Sequence, residues 1–248
     1  MYHSIADNPD DLYSVTVETF REQLSWLSDH GFEIVTLSFL LQALRARSHG
    51  DLLKKVVLTF DDGYQDFFTD ALPVLSDRGA PATVFLVTDM LGGRALWNGA
   101  AARGRLMTED EVRAIKARGM SLGSHTATHA NLPLLDEAEM LRELTDSCDR
   151  LGFLGESFRV FSYPWGQWSP RVVETVKAAG YECALAVGGW MRTASANTYL
   201  LPRVTMTREM GLKDFRSRLM RRPIETGARR LCRALLDKVS RVASASEG

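Results

Sequence analysis

Apolar residues recur along the chain in two patterns, one typical of helices and one typical of buried strands. Phe20, Leu24 and Leu27 have the four- and three-residue spacing of an amphipathic helix, which stops near Gly31. Between such stretches lie short apolar runs, which predict strands at residues 56–60, 83–87, 160–163 and 182–187. Because strands and helices alternate, we expect a parallel sheet in an α/β fold. About seven such units in roughly 210 residues are few for an eight-stranded barrel, so the barrel should be open or incomplete.

Polar residues mark where several helices begin. Thr108 with Glu111, and Asp136 with Glu139, have the spacing of a capping box, in which side chains and backbone N–H groups pair reciprocally. Residues 88–106 follow neither period and contain several glycines, so we expect a long loop. Loops of that length in compact domains often act as lids or binding loops.

Composition and charge restrict the domain organisation. The chain has 248 residues, 45% of them hydrophobic and 25% charged, which is enough to bury one core. The net charge of −1 hides an asymmetry, because residues 211–248 hold ten Lys or Arg against four Asp or Glu. We therefore expect one main domain at residues 1–210 and a basic helical C-terminal extension at 211–248. Since the main domain is mildly acidic, we expect no nucleic-acid partner.

The basic extension bears on membrane contact. Leu231, Leu235, Val239 and Val242 fall near one helical face, with basic residues elsewhere around it. Residues 224–248 are therefore expected to form either a helix docked on the main domain or a peripheral contact with an anionic membrane.

The sequence shows no evident export signal. Its first residues have neither the basic nor the apolar region of a signal peptide, and no stretch reaches the roughly 18 apolar residues of a membrane span. The three widely spaced cysteines suit a reducing compartment. We expect a cytoplasmic protein, or one at the inner membrane face. A chain from which a signal had been removed would instead be exported.

Two adjacent carboxylates and two histidines supply the candidate chemistry. Asp61 and Asp62 follow the predicted strand at 56–60, where α/β folds place their reactive groups. Neighbouring side chains there point in different directions, so one carboxylate can bind a metal while the other stays free as a base. Asp62, His125 and His129 make up the two-histidine, one-carboxylate set of catalytic zinc sites. Such a set also suits Fe(II), but the free neighbouring carboxylate favours hydrolysis.

Three sequence motifs together resemble a known family. Residues 59–63 (TFDDG), 125–129 (HTATH) and 161–166 (FSYPWG) are similar, in order and separation, to the first three motifs of the polysaccharide deacetylases, the NodB-homology carbohydrate esterases. The resemblance covers residues 55–205. It implies a distorted, incomplete (β/α)7 barrel and one divalent metal ion, usually zinc. It also implies hydrolysis of N-acetyl or O-acetyl groups on sugars.

The resemblance also implies roles for individual residues. Asp61 would be the catalytic base, and Asp62, His125 and His129 would be the metal ligands. The backbone N–H of Trp165 would help to stabilise the oxyanion, a role in which preorganised donors are worth about 3–4 kcal/mol. The residues expected to bind substrate are Tyr163, Pro164, Trp165 and Arg203.

Two departures from the family pattern point to a subgroup. Ser162 stands where many members have an arginine, and the chain has no histidine after His129 to act as general acid. The opening Tyr2-His3 resembles a circularly permuted subgroup, in which the strand with the acid histidine comes first. That subgroup acts largely on poly-N-acetylglucosamine-type or other exopolysaccharides and shares a Leu-Pro-Arg segment like the one ending at Arg203. His3 is therefore the expected general acid, and Arg203 a candidate for the missing charge near Asp61.

Several interpretations stay open from the sequence. The main hypothesis is a hydrolase of linear amide C–N bonds that deacetylates a glycan or a glycan precursor. The alternatives are an amide or imide hydrolase of the same fold, and a non-catalytic carbohydrate-binding relative. Trp97, Trp168 and Trp190 are candidates for stacking on sugar rings. No sequence feature determines the number of subunits.

Overall fold

The structure is a computed structural model, which describes residues 1–97, 104–188 and 197–220. Its α-helices are α1 (Val17–Asp29), α2 (Leu37–Arg45), α3 (Leu72–Ser76), α4 (Glu109–Ala117), α5 (Glu137–Phe153), α6 (Pro170–Ala178) and α7 (Leu212–Met220). Its strands are β1 (Ser4–Ile5), β2 (Ser14–Val15), β3 (Glu33–Ile34), β4 (Lys55–Val56), β5 (Thr59–Phe60), β6 (Thr83–Leu86), β7 (Ser121–Ser124), β8 (Val160–Ser162), β9 (Cys183–Val187) and β10 (Leu201–Arg203).

Six parallel strands form the main sheet, in the spatial order β10-β9-β8-β7-β6-β5. Apolar side chains cover both of its faces, as β8 illustrates. Val160 belongs to a core cluster with Leu41 of α2, whereas the next residue, Phe161, belongs to a cluster with Leu144 of α5. Burial of both faces explains the continuous apolar runs in the sequence, because a two-sided parallel sheet has no solvent-facing side. The predicted α/β fold class, a distorted incomplete barrel, is confirmed.

The first residues of the chain lie between the two edges of this sheet. The backbone N–H of Tyr2 donates to Thr59 O at 2.8 Å, and Asp61 N donates to Tyr2 O at 3.0 Å. On the other side, Met1 N donates to Val204 O, just after β10, at 2.9 Å. The opening segment therefore closes the sheet between β5 and the chain that follows β10, and it brings His3 to the same edge as the motif aspartates.

Local signals in the sequence match the observed helix starts. Both predicted capping boxes are present, at the N-terminus of α4 and at that of α5. The single strand predicted at 56–60 is observed as two strands, because β4 pairs with β3 whereas β5 pairs with β6. The run changes partner at Val57 and Leu58, so one apolar stretch serves two sheets. Apolar periodicity carries no information on which strand will be the partner.

The C-terminal extension is described only in its first part. The contacts within the chain define one unit at Met1–Phe215 and another at Arg216–Gly248. Helix α7 is observed, whereas the basic helix predicted at 224–248 lies outside the described residues, as does Trp190. Within the described part of the chain, no helix has the length and apolarity that crossing a membrane requires.

Candidate functional site

The residues singled out by the three motifs meet in one cleft of about 190 Å³ at the carboxyl ends of the strands. Asp61 and Asp62 follow β5, His125 follows β7, and Trp165 lies in the turn after β8. The lining residues are Met1, His3, Tyr13, Asp61, Asp62, His125, His129, Tyr163, Trp165, Gly166, Val187 and Thr205. Parallel strands deliver these side chains to one edge because all of their carboxyl ends point the same way.

Backbone strain is concentrated around this cleft. Positive φ angles occur at Asp62 (73°), Thr126 (66°), His129 (66°) and Trp165 (61°). In the described part of the chain only two other non-glycine residues have such angles. Each costs of the order of 1–3 kcal/mol and persists only where the surrounding structure enforces it, which is typical of functional sites.

Gly63 permits the sharp turn that separates the two aspartates from α3. Its φ is 77°, and a Cβ atom there would lie 2.9 Å from Cδ2 of Leu86, a residue of the neighbouring strand β6. Any larger residue would therefore be strained and would push this turn away from the sheet.

Asp62, His125 and His129 form a buried cluster whose ligand atoms all lie within 4.8 Å of one another. Oδ1 of Asp62 is 3.4 Å from Nε2 of each histidine. Two ligands of a tetrahedral zinc ion, with bonds of about 2.1 Å, stand about 3.4 Å apart. Within the described residues, this Oδ1 atom is buried without a hydrogen-bond donor. The donor set and the spacing therefore both fit a divalent metal ion such as zinc.

The environment of His125 prepares it to donate a lone pair. Its Nδ1 atom lies 2.8 Å from the carbonyl oxygen of Ser162. A carbonyl can only accept, so Nδ1 carries the proton and Nε2 faces Asp62 with its lone pair. Burial lowers the pKa of His125 to about 4, against the opposing pull of Asp61, so the ring is neutral near pH 7.

Arg203 holds Asp61 from behind the cleft. Its Nη1 atom donates to Oδ1 of Asp61 at 2.6 Å and its Nη2 atom to Oδ2 at 2.7 Å, and Ser162 Oγ also donates to Oδ2 at 3.1 Å. Burial alone would raise the pKa of the Asp61 carboxyl, but the guanidinium charge and its hydrogen bonds hold it well below the usual range. Arg203 is itself buried and does not line the cleft. The sequence assigned Arg203 to substrate binding and, as a second possibility, to a charge near Asp61; the observed contact is with Asp61.

His3 reaches the cleft from the opening segment. It lines the cleft with both aspartates and both histidines, and its ring is tilted by 42° against that of Tyr13, with centroids 4.6 Å apart. Its Nδ1 atom is buried and has no hydrogen-bond partner among the described residues. Tyr13 had no motif to mark it, so the sequence did not reveal it.

Asp66 anchors the segment that carries His3. Its carboxylate accepts a hydrogen bond from Ser4 Oγ at 2.7 Å and one from Ile5 N at 3.0 Å. The carboxylate thus ties strand β1 to the turn that follows the two motif aspartates. It is not among the residues that line the cleft.

The third motif forms one wall of the cleft. The side chain of Trp165 is 49% exposed, and its indole N–H donates to His129 O at 3.3 Å. Tyr163 also lines the cleft and donates its hydroxyl to Tyr199 O at 2.9 Å. Pro164, assigned to substrate binding from the sequence, is buried and is not a lining residue.

Trp97, from the predicted loop, lies against the cluster of candidate metal ligands. Its indole Nε1 donates to Oδ2 of Asp62 at 3.3 Å, and its ring stacks on His129 with centroids 4.2 Å apart and planes 12° from parallel. The sequence suggested a sugar-stacking role for this residue. The observed contacts are with two candidate metal ligands instead.

Comparison with protein families and curated proteins gives consistent matches. The family model described as polysaccharide deacetylase matches residues 50–184. The YxkH protein of Bacillus subtilis is 27% identical over 219 residues, which cover 87% of this chain and 73% of that protein. The poly-β-1,6-N-acetyl-D-glucosamine N-deacetylase of Escherichia coli K12 is 27% identical over 257 residues, covering 88% of this chain but only 38% of that protein.

Solved structures share the fold. The Streptococcus pyogenes deacetylase PplD, in complex with acetate, superposes with a TM-score of 0.74 at 26% identity, over 88% of this chain and 95% of that one. IcaB from Ammonifex degensii gives a TM-score of 0.67 at 22% identity, over 83% of this chain and 89% of that one. The second likeness supports the fold alone.

Proposed function

Because this chain belongs to the polysaccharide deacetylase family and is thus a hydrolase, we propose that it removes N-acetyl groups from a β-1,6-linked N-acetylglucosamine glycan. The substrate class is suggested by relatives in Escherichia coli and Staphylococcus epidermidis, both named poly-β-1,6-N-acetyl-D-glucosamine N-deacetylases. The observation that carries the proposal is the convergence of a two-histidine, one-carboxylate cluster, a second carboxylate and His3 in one cleft.

In this proposal Asp62, His125 and His129 hold a zinc ion. A zinc ion bound there would supply Lewis acidity, which would lower the pKa of a water to near 7 and polarise the acetyl carbonyl group. The residues of the chain then have separate tasks, which their environments support.

Asp61 accepts the proton from the attacking water. Arg203 keeps this carboxylate ionised, and both of its oxygens are engaged by hydrogen-bond donors. Oδ1 accepts one such bond, whereas Oδ2 accepts one from Arg203 and one from Ser162. A carboxylate oxygen has two lone pairs, so Oδ1 is the atom left able to take the proton.

His3 and Trp165 act on the other parts of the substrate. The His3 imidazole donates a proton to the amine nitrogen as the C–N bond breaks, because an unprotonated amine is a poor leaving group. The backbone N–H of Trp165 stabilises the oxyanion that develops on the acetyl oxygen. Both residues line the cleft that contains Asp61.

The direct test measures acetate released from β-1,6-linked N-acetylglucosamine oligomers. We expect release that a chelator abolishes and added zinc restores. An O-acetylated oligosaccharide and a simple cyclic imide are assayed in parallel, because turnover of either one alone would reassign the substrate. Glycan binding with no acetate release would instead favour a carbohydrate-binding role.

The residues are tested by substitution. Asp61→Asn and His125→Ala should each abolish acetate release, and His3→Ala should lower it by about 10²–10⁴-fold, the usual contribution of a positioned acid. Matched controls are Asp10→Asn and His30→Ala, which change exposed residues that do not line the cleft. Full turnover in Asp61→Asn or His125→Ala would show that the mechanism is wrong.

A further inference from the structure

His125 and His129 are oriented by different means. The Nδ1 atom of His125 donates to a backbone carbonyl oxygen at 2.8 Å. The Nδ1 atom of His129 is buried and has no hydrogen-bond partner among the described residues. Metal-binding histidines almost always use their second nitrogen to fix the ring, so another contact must orient His129.

Two indole rings supply that contact. Trp97 stacks on the His129 ring almost in parallel, at 4.2 Å between centroids. Trp165 meets the same ring edge-on at 4.9 Å and binds the His129 backbone carbonyl through its indole N–H. Of the two, Trp97 has the contact that restricts rotation of the imidazole plane, because its ring lies flat against it.

Trp97 also orients the carboxylate ligand. Its indole N–H donates to Oδ2 of Asp62 at 3.3 Å, while Oδ1 lies 3.4 Å from Nε2 of each histidine. An indole N–H can only donate, so it engages one carboxylate oxygen and leaves the other facing the cluster. One side chain therefore contacts two of the three candidate ligands.

The loop around Trp97 is held in place by hydrogen bonds between its two ends and by a bond to the turn after the aspartates. Backbone hydrogen bonds of 3.0 Å join Ala95 N to Gly104 O and Leu106 N to Gly93 O. Ala95 and Leu106 form a buried cluster with Tyr64, and Trp97 packs against it. A further bond of 2.9 Å from Met107 N to Gly63 O ties the loop to the turn after the aspartates. These hydrogen bonds and apolar contacts therefore fix the position of the Trp97 indole.

We propose that Trp97 is a positioning residue for the metal site, which sets the orientation of Asp62 and His129 and so strengthens metal binding. The proposal rests on the proposed function, since it takes these residues as ligands. Contacts of this kind, made to ligands and not to the metal, typically change metal affinity by 10–100-fold.

The test measures zinc affinity by competition with a chromophoric chelator, on the full chain stripped of metal. Trp97→Phe retains an aromatic ring for stacking but loses the N–H donor, and Trp97→Leu loses both contacts. We expect affinity to fall by roughly 10-fold in the first variant and further in the second. The control is Trp168→Phe, which alters an exposed indole outside the cleft and should leave affinity unchanged.

A spectroscopic signature separates this role from a general loss of structure. Zinc binding at His129 should change the tryptophan fluorescence of the wild-type chain, and much of that change should be lost in Trp97→Phe but kept in Trp168→Phe. Circular dichroism of each variant confirms that the fold is retained.

The outcomes distinguish the two proposals. Zinc affinity in Trp97→Phe and Trp97→Leu equal to that of the wild type would overturn the positioning role. A higher KM for glycan at unchanged zinc affinity would likewise overturn it, in favour of sugar stacking. A wild-type chain that binds no zinc would instead defeat the proposed function, and this inference with it.

Discussion

Asp61 and Arg203 are a pair of opposite charges, with side chains only 3% and 6% exposed. Their two short contacts fix the carboxylate plane, and Ser162 completes the arrangement by bonding to both partners. Buried pairs of this kind contribute little net stability, because desolvation offsets the attraction, but breaking one partner leaves an uncompensated charge. The pair is thus better understood as a means of orienting the Asp61 carboxylate.

This arrangement predicts an unequal effect of two substitutions. Arg203→Met should lower the free energy of unfolding by about 3–5 kcal/mol, because Asp61 is left buried without its counter-charge. Adding Asp61→Asn to that variant should restore part of the loss, since the orphaned charge is removed. Urea unfolding of both variants and of Asp61→Asn alone checks this. A double variant less stable than Arg203→Met would contradict it.

At this scale the sequence identified the candidate metal ligands but not the side chains that contact them. Asp61, Asp62 and His125 were identifiable because their chemistry and spacing form a motif. The contacts of Trp97 and Tyr13 come from residues distant in the chain, and no local spacing encodes a contact between an indole at 97 and an imidazole at 129. Arg203 was placed near Asp61 only as one possibility, by resemblance.

Strand β1 is a two-residue element whose position depends on one carboxylate beneath it. Asp66 accepts hydrogen bonds from Ser4 and Ile5. Burial raises the pKa of Asp66 to about 6, against the hydrogen bonds from Ser4 and Ile5, and the nearby Asp70 and Asp11 raise it further. The folded chain therefore binds this proton more tightly than the unfolded chain, whose carboxyl titrates near 3.8.

The raised pKa of Asp66 makes the stability of the folded chain depend on pH. Asp66 favours the folded state most at low pH, and this contribution is lost as the pH rises through about 6. Asp66→Asn keeps an acceptor for Ile5 N but does not titrate. From pH 4 to pH 7 the stability of the wild type relative to this variant should fall by roughly 2 kcal/mol, allowing for partial solvent exposure.

Thermal unfolding at a series of pH values measures this difference. Asp10→Asn is the matched control, because it removes one carboxyl charge at an exposed position. A constant difference for Asp66→Asn would contradict the prediction.

Elements were predictable to the extent that their causes are local. The capping boxes at Thr108 and Asp136 lie within four residues of the helices they start, and both were predicted correctly. The strand at 56–60 was predicted as one element, but it divides because its halves pair with β3 and β6. Strand pairing is a long-range property that an apolar run does not specify.

Across the whole molecule, the opening segment joins two edges of the main sheet. Tyr2 is 1% exposed, stacks on Phe60 at 5.4 Å and meets Phe20 edge-on at 5.1 Å. Its hydroxyl donates to Oε1 of the buried Gln23 at 2.7 Å. These contacts hold the opening segment between β5 and the chain that follows β10. The closure of the sheet therefore depends largely on Tyr2, the residue before His3.

Two substitutions at Tyr2 should therefore have unequal effects. Tyr2→Ala should destabilise the chain by about 3–5 kcal/mol, because a large buried ring is lost. It should also speed hydrogen exchange at Asp61 N–H, which bonds to the Tyr2 carbonyl. Tyr2→Phe, the control, removes only the hydroxyl and should cost about 1–3 kcal/mol through the unsatisfied Gln23. Equal protection of Asp61 N–H in Tyr2→Ala and the wild type would contradict this role.

The whole-molecule arrangement was accessible from the sequence only through the family resemblance. Periodicity predicted parallel β/α units, and their number suggested an incomplete barrel. Apolar periodicity does not indicate that the first three residues close the sheet. The Tyr2-His3 pair became informative only because the chain has no histidine after His129 to act as general acid. That inference rests on the chemistry that the reaction requires, and the spacing of apolar residues does not contain it.

The closure of the sheet also has a consequence for how the molecule is made. The bond between Met1 and Val204 spans 203 positions of the chain, so it is among the last contacts that synthesis allows. A growing chain that has reached residue 190 already contains both aspartates and all the histidines of the cleft, yet it lacks the strand that completes the gap around His3. Hydrolytic competence should therefore appear only once the chain extends past Val204 and the opening segment has closed the sheet.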